Sequence, residues 1–283
     1  MNSELVSVKT DDDVILHGAF YEGAPESPTI LVMHGSQMNF YTGLGSSLPP
    51  ILAGSGYNCL TANFRGHDMA SAPDGYTRKM IGSLYDNFQD CVLDISALLS
   101  FVSDRGHGQV FLLGHSQGAF KILYAQRTLR DRRVKGMALI SPPPSAAEMT
   151  MFMIGRKEFD RALSEAREAI LNNNPSHLIV SPARGNMPFI FSAQTYVSFC
   201  DSDVPVDARY LCRDLTEPLL VTRGEMDLPP ISKALIEAIR DNYPRPDLCR
   251  LAELPNASHF YDGQEDALAQ LVMNWMTTCI SHA

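Results

Sequence analysis

Gly114-His115-Ser116-Gln117-Gly118 follows directly on the apolar run Val110-Phe111-Leu112-Leu113. A serine between two glycines at the end of a buried strand reads as a tight elbow. The glycines remove side chains that would clash, and the turn lifts the serine hydroxyl above the sheet edge. A serine hydroxyl is a poor nucleophile at neutral pH. It needs a base to take its proton and an acid to orient that base. In a wound sheet both partners must lie on loops at the carboxyl ends of strands. The run Leu219-Leu220-Val221-Thr222 leads into Arg223-Gly224-Glu225-Met226-Asp227, so Asp227 is the candidate acid, with Glu225 as its local rival. The strand Leu251 to Leu254 leads into Pro255-Asn256-Ala257-Ser258-His259-Phe260, so His259 is the candidate base. His34, His67 and His115 flank the same region and read as loop or turn packing. Strand six ends in Ile140-Ser141-Pro142, which offers no acid.

Acyl transfer also needs donors for a tetrahedral oxyanion, each worth ~3 kcal/mol of transition-state stabilisation. The Gln117 N–H, at the start of the helix after the elbow, is one candidate. The loop His34-Gly35-Ser36-Gln37 supplies the other, from Ser36, with Gln37 as runner-up.

The elements that must position these groups follow from periodicity. Leu5 to Lys9 and Val14 to Tyr21 alternate as strands around the turn Thr10-Asp11-Asp12-Asp13. Pro28 to Met33, Tyr57 to Phe64, Gln109 to Leu113, Val134 to Ile140, Pro218 to Thr222 and Leu248 to Leu254 complete eight strands. Ser83 to Asp104 carries an apolar face at three-to-four spacing, with Ser83 as its cap and Asp86 in its first turn. A final helix spans about Gln264 to Ile280. Strands alternating with helices describe a wound, mostly parallel α/β sheet flanked by helices. After strand six the alternation breaks at Pro142-Pro143-Pro144, and Ser145-Ala146-Ala147-Glu148 is a capping box for a new helix. We therefore expect a first core segment over 1–143, a helical lid over 144–215 between strands six and seven, and a second core segment over 216–283.

The 283 residues, 45% hydrophobic and 19% charged, suffice for one large α/β core. A net charge of −9 without clustered Lys/Arg argues against a nucleic-acid partner. No apolar stretch approaches the ~20 residues of a membrane span. No basic region leads into an apolar run at the amino terminus, and the six cysteines form no C-x-x-C pair. These features point to a cytoplasmic protein with neither metal nor redox work. The sequence carries no signal of oligomeric state.

The order Ser116, Asp227, His259 is that of α/β-hydrolases, not of chymotrypsin-like or subtilisin-like enzymes. With His34-Gly35, Asn63-Phe64-Arg65-Gly66-His67-Asp68, Gly224-Glu225-Met226-Asp227 and Ser258-His259-Phe260, the chain resembles the α/β-hydrolase superfamily over nearly its whole length. It is most similar to the capped monoacylglycerol-lipase, feruloyl-esterase and serine-aminopeptidase-like branch. It departs from that branch where Asp68-Met69 follows Arg-Gly-His. The resemblance implies an acyl-enzyme on Ser116 and no cofactor or metal. The expected reaction is hydrolysis of an apolar small-molecule ester, thioester or lactone. The alternatives are acyl transfer or cyclisation with the same triad, or a ligand receptor that retains it. The lid is rich in bulky apolar residues. Met149, Phe152, Met153, Phe191 and Tyr196, with Gln37 and Phe260 outside it, are the candidate substrate-binding residues.

Overall fold

The computed structural model describes residues 3–72, 80–183 and 188–280. The strands are β1 (Ser3–Lys9), β2 (Ile15–Tyr21), β3 (Thr29–Met33), β4 (Asn58–Ala62), β5 (Val110–His115), β6 (Val134–Ile140), β7 (Leu178–Ser181), β8 (Phe189–Ser192), β9 (Leu219–Met226) and β10 (Cys249–Ser258). The helices are α1 (Leu44–Gly54), α2 (Cys91–Asp104), α3 (Gln117–Leu129), α4 (Ala146–Ile154), α5 (Arg156–Leu171), α6 (Ala193–Cys200), α7 (Ala208–Leu211), α8 (Lys233–Asn242) and α9 (Glu265–Ile280).

The main sheet has eight strands in the order β1-β2-β4-β3-β5-β6-β9-β10. β1 pairs antiparallel with β2, and β2 with β4; every later pairing is parallel. This is the mostly parallel eight-stranded sheet the sequence implies. β3, β4 and β5 are buried along their whole length, as continuous apolar runs covered on both faces must be. One core packs α2, α3 and α8 against one face of the sheet, and a second packs α1 and α9 against the other. Parallel order puts the ends of β3, β5, β6, β9 and β10 along one edge of the sheet.

Two local expectations change. The helix foreseen from Ser83 begins as α2 at Cys91, preceded by two short 3₁₀ turns at Ser83–Tyr85 and Phe88–Asp90. Ser83 caps nothing, and Asp86 is extended rather than helical. The cause is tertiary: Asp86 is drawn into a fully buried ion pair with Lys121 of α3. The segment between β6 and β9 is also not purely helical, because β7 and β8 form a two-stranded antiparallel hairpin within it. Half of the capping box at its start forms, with Ser145 Oγ accepting the Glu148 N–H. The Glu148 carboxylate, however, pairs with Arg209 of α7.

Candidate active site

The elbow depends on close backbone approach. A Cβ on Gly114 would lie 2.5 Å from the Gly118 carbonyl oxygen, and one on Gly118 would lie 2.6 Å from that of His34. With both absent, α3 starts directly beneath the end of β3. Ser116 takes φ 52°, ψ −120°, a conformation that a side chain rarely adopts and that the flanking strand and helix enforce. Its N–H donates to Ile140 O at 2.8 Å, which continues the β5–β6 pairing past the strand end.

His259 follows directly on β10, and Asp227 directly on β9. Ser116 Oγ lies 3.2 Å from His259 Nε2, and His259 Nδ1–H donates to Asp227 Oδ1 at 2.8 Å. The structure thus brings together the three residues that the sequence places on separate strand ends. The rival Glu225 points elsewhere: it is exposed and accepts the Asn256 N–H. Asp227 also accepts the Leu228 N–H at 2.7 Å, the Gly224 N–H at 3.3 Å and the Ser141 hydroxyl. Burial opposes its charge. The hydrogen bonds and the His259 ring outweigh that and hold the carboxyl below its ordinary value.

Two more histidines stiffen the frame. His34 Nδ1–H donates to Gly35 O at 2.8 Å, and its Nε2 accepts the Phe64 N–H at 3.0 Å. His115 Nε2–H donates to the His259 carbonyl at 2.9 Å, and its ring lies 4.9 Å from that of His259. Burial pushes both imidazoles down to about 3, so both are neutral near pH 7. These are two of the three histidines that the sequence reads as loop or turn packing. They join the turn after β3 to the segment after β4, and the loop after β10 to the elbow.

The turn after β3 is closed by the Met38 N–H to Gly35 O at 3.3 Å, with Gln37 at φ 58°. Among the described residues, no backbone hydrogen bond engages the N–H of Ser36 or of Gln37. The Gln117 N–H stands in the first turn of α3, where no intrahelical acceptor exists.

A cavity of about 350 Å³ opens beside Ser116. The candidate oxyanion donors Ser36 and Gln117 line it, with six of the candidate substrate-binding residues: Gln37, Met149, Met153, Phe191, Tyr196 and Phe260. Phe152 does not. Helical geometry puts Ala146, Met149, Thr150 and Met153 of α4 on the cavity face and turns Phe152 about 110° away. Residues the sequence did not single out also line it: Met38, Phe120, Thr150, Thr195, Cys200 and Leu228. Phe120 had a readable signal, since it lies one helical turn after Ser116. Among the described residues, no cluster of His, Cys, Asp or Glu is arranged to hold a metal ion, and no helix is long and apolar enough to cross a membrane.

Sheet order, elbow and cavity define a class, the wound α/β enzymes that carry a strained serine at the end of the central strand. The chain belongs to the alpha/beta hydrolase family, whose model matches residues 14–271. No curated protein matches its sequence. Among solved structures it is similar to Est1E from Butyrivibrio proteoclasticus, at 18% identity and TM-score 0.70 over 98% of this chain and 99% of that one. It is similar to the esterase domain of a Rhodothermus marinus protein, at 16% identity and TM-score 0.65 over 97% and 98%. It is also similar to DcsB, solved in complex with its substrate analogue, at 16% identity and TM-score 0.74 over 99% and 100%.

Proposed function

We propose that the protein is a serine hydrolase that cleaves a carboxylic ester of an apolar small molecule through an acyl-enzyme on Ser116. The observation that carries this reading is the hydrogen-bonded line from Ser116 Oγ through His259 to Asp227. His259 Nε2 takes the Ser116 proton as the oxygen attacks the ester carbonyl. Asp227 holds the Nδ1–H tautomer and balances the imidazolium. The N–H groups of Ser36 and Gln117 receive the oxyanion, and the imidazolium protonates the departing alcohol. Water, deprotonated by His259, then releases the acid. The segment over 144–215 acts as a lid that supplies one wall of the cavity. The esterase domain among the similar structures supports an ester as the substrate.

The test is turnover of an activated short-chain aryl ester by the intact protein and by Ser116→Ala. The variant should lose the activity and should no longer be labelled by a fluorophosphonate. Full activity in Ser116→Ala would sink the assignment.

A further inference from the structure

We propose that the cavity beside Ser116 takes an uncharged hydrocarbon or aryl group and rejects substrates whose buried portion carries charge or hydrogen-bonding groups away from the scissile carbonyl. The proposal rests on the reading of Ser116 as an esterase nucleophile.

Two observations carry it. Among the described residues, no Asp, Glu, Lys or Arg side chain lines the cavity. The threonines that the segment between β6 and β9 contributes to the wall are already engaged within the protein. Thr150 Oγ1–H donates to Ala146 O at 2.8 Å, and Thr195 Oγ1–H donates to Leu84 O at 3.0 Å. Their remaining oxygen capacity faces Cys200 Sγ at 3.8 Å and Ser192 Oγ at 3.1 Å. Tyr196 also lines the cavity, and its hydroxyl is buried without a hydrogen-bond partner among the described residues. Burial pushes the Cys200 thiol up to about 12, so it offers no charge either.

Among the described residues, the backbone N–H groups left open beside the cavity lie at the reacting end, on the turn at Ser36-Gln37 and on the elbow at Gln117. The opposite wall is aromatic and thioether surface. Phe189 and Phe191 meet edge to face at 4.5 Å, and the Met149 and Met153 side chains adapt to apolar shapes. A substituent that leaves water for this wall gains contacts but finds no partner for a dipole or a charge. The penalty is moderate for a hydroxyl and much larger for an ion. At ~30 Å³ per group, the volume of about 350 Å³ has room for roughly ten non-hydrogen atoms, about the size of a phenylpropanoyl group.

The experiment compares kcat/KM for p-nitrophenyl esters of 3-phenylpropanoic acid and its 4-hydroxy, 4-carboxy and 4-aminomethyl ring derivatives. A second series carries the same four rings on the alcohol side of an acetate ester. In whichever series the ring enters the cavity, the hydroxyl should cost about 10-fold. The carboxylate and the ammonium should each cost at least about 100-fold. Values within threefold of the parent for every ring, in both series, would overturn the proposal and leave the hydrolase reading intact. Acceptance of the ammonium with rejection of the carboxylate would also overturn it, because the net charge of −9 would then explain the selectivity. No turnover of any ester, with Ser116 unlabelled by fluorophosphonate, would remove both readings.

Discussion

Ser141 donates its hydroxyl to Oδ2 of Asp227 from a left-handed backbone conformation, φ 49°. Its oxygen lies 2.9 Å from the hydroxyl of fully buried Tyr261, which in turn lies 3.2 Å from Thr222 Oγ1. Since the Ser141 proton goes to the carboxylate, Tyr261 donates to Ser141 and Thr222 donates to Tyr261. A directed chain thus ends on the carboxylate that orients His259. A hydrogen bond to a charged group contributes about 1.5–3 kcal/mol.

Ser141→Ala is therefore expected to lower kcat/KM about 10-fold. The hydroxyl fixes the carboxylate that orients His259, so its loss should appear in kcat rather than in KM. Tyr261→Phe keeps the Ser141 donor and should lose less. Asp227→Asn, which removes the acceptor that fixes the tautomer, should lower kcat on the order of 10³- to 10⁴-fold. An unchanged kcat in Ser141→Ala would show that the hydroxyl only fills space.

Much of the fold was legible because its signals are local. Buried parallel strands are continuous apolar runs, and Ser116 and Asp227 each follow such a run within a few residues, while His259 follows directly on the edge strand β10. Ser141 was not legible, since a serine before prolines after a strand looks like any turn. Its role depends on Asp227, 86 residues away. Asp86 was misread for the same reason: in sequence it suits a first helical turn, while in space Lys121 claims it. Phe152 was misread because an apolar residue on a short helix has no visible direction until its neighbours are known. The hairpin β7–β8 escaped because four-residue strands carry too little alternation to stand out.

The elbow glycines make a steric prediction. Ala at Gly114 or Gly118 would bring a Cβ to 2.5–2.6 Å from backbone oxygens that belong to the elbow and to the end of β3. Backbone cannot yield as a side-chain tip can, so each variant should lose about 3 kcal/mol or more. It should also lose activity beyond what its folded fraction explains, because Ser116 Oγ moves away from His259. Gly108→Ala meets open space and should be neutral, which makes it the control. Urea unfolding beside single-substrate kinetics checks both effects.

Buried neutral histidines predict a loss of stability in acid. His34 and His115 have values near 3 in the folded protein, against 6.5 when unfolded. Between these limits the unfolded chain binds the extra protons. Their contribution is thus fully present above pH 6.5 and is lost as pH falls toward about 3. Each histidine should add about 1.4 kcal/mol per pH unit to the slope. His115→Gln should flatten the dependence of unfolding free energy between pH 6 and 4.5 by about that amount. An unchanged slope would mean that the ring is hydrated and titrates normally.

The pair Lys121–Asp86 tests what holds α3 under the elbow. Nζ and Oδ2 are 2.6 Å apart with both side chains 2% exposed, and Nζ lies 4.5 Å from the Phe64 ring centroid. Asp86 Oδ1 has no partner among the described residues, so the site already tolerates one unsatisfied oxygen. Lys121→Met would leave the carboxylate buried without its cation, a change that typically costs about 3–5 kcal/mol. Adding Asp86→Asn removes the charge and should recover a large part of that loss. Recovery identifies desolvated charge as the cause, because Lys121→Met leaves the packing at position 121 nearly the same in both variants. Equal destabilisation of the single and double variants would assign the cost instead to lost contact with Phe64.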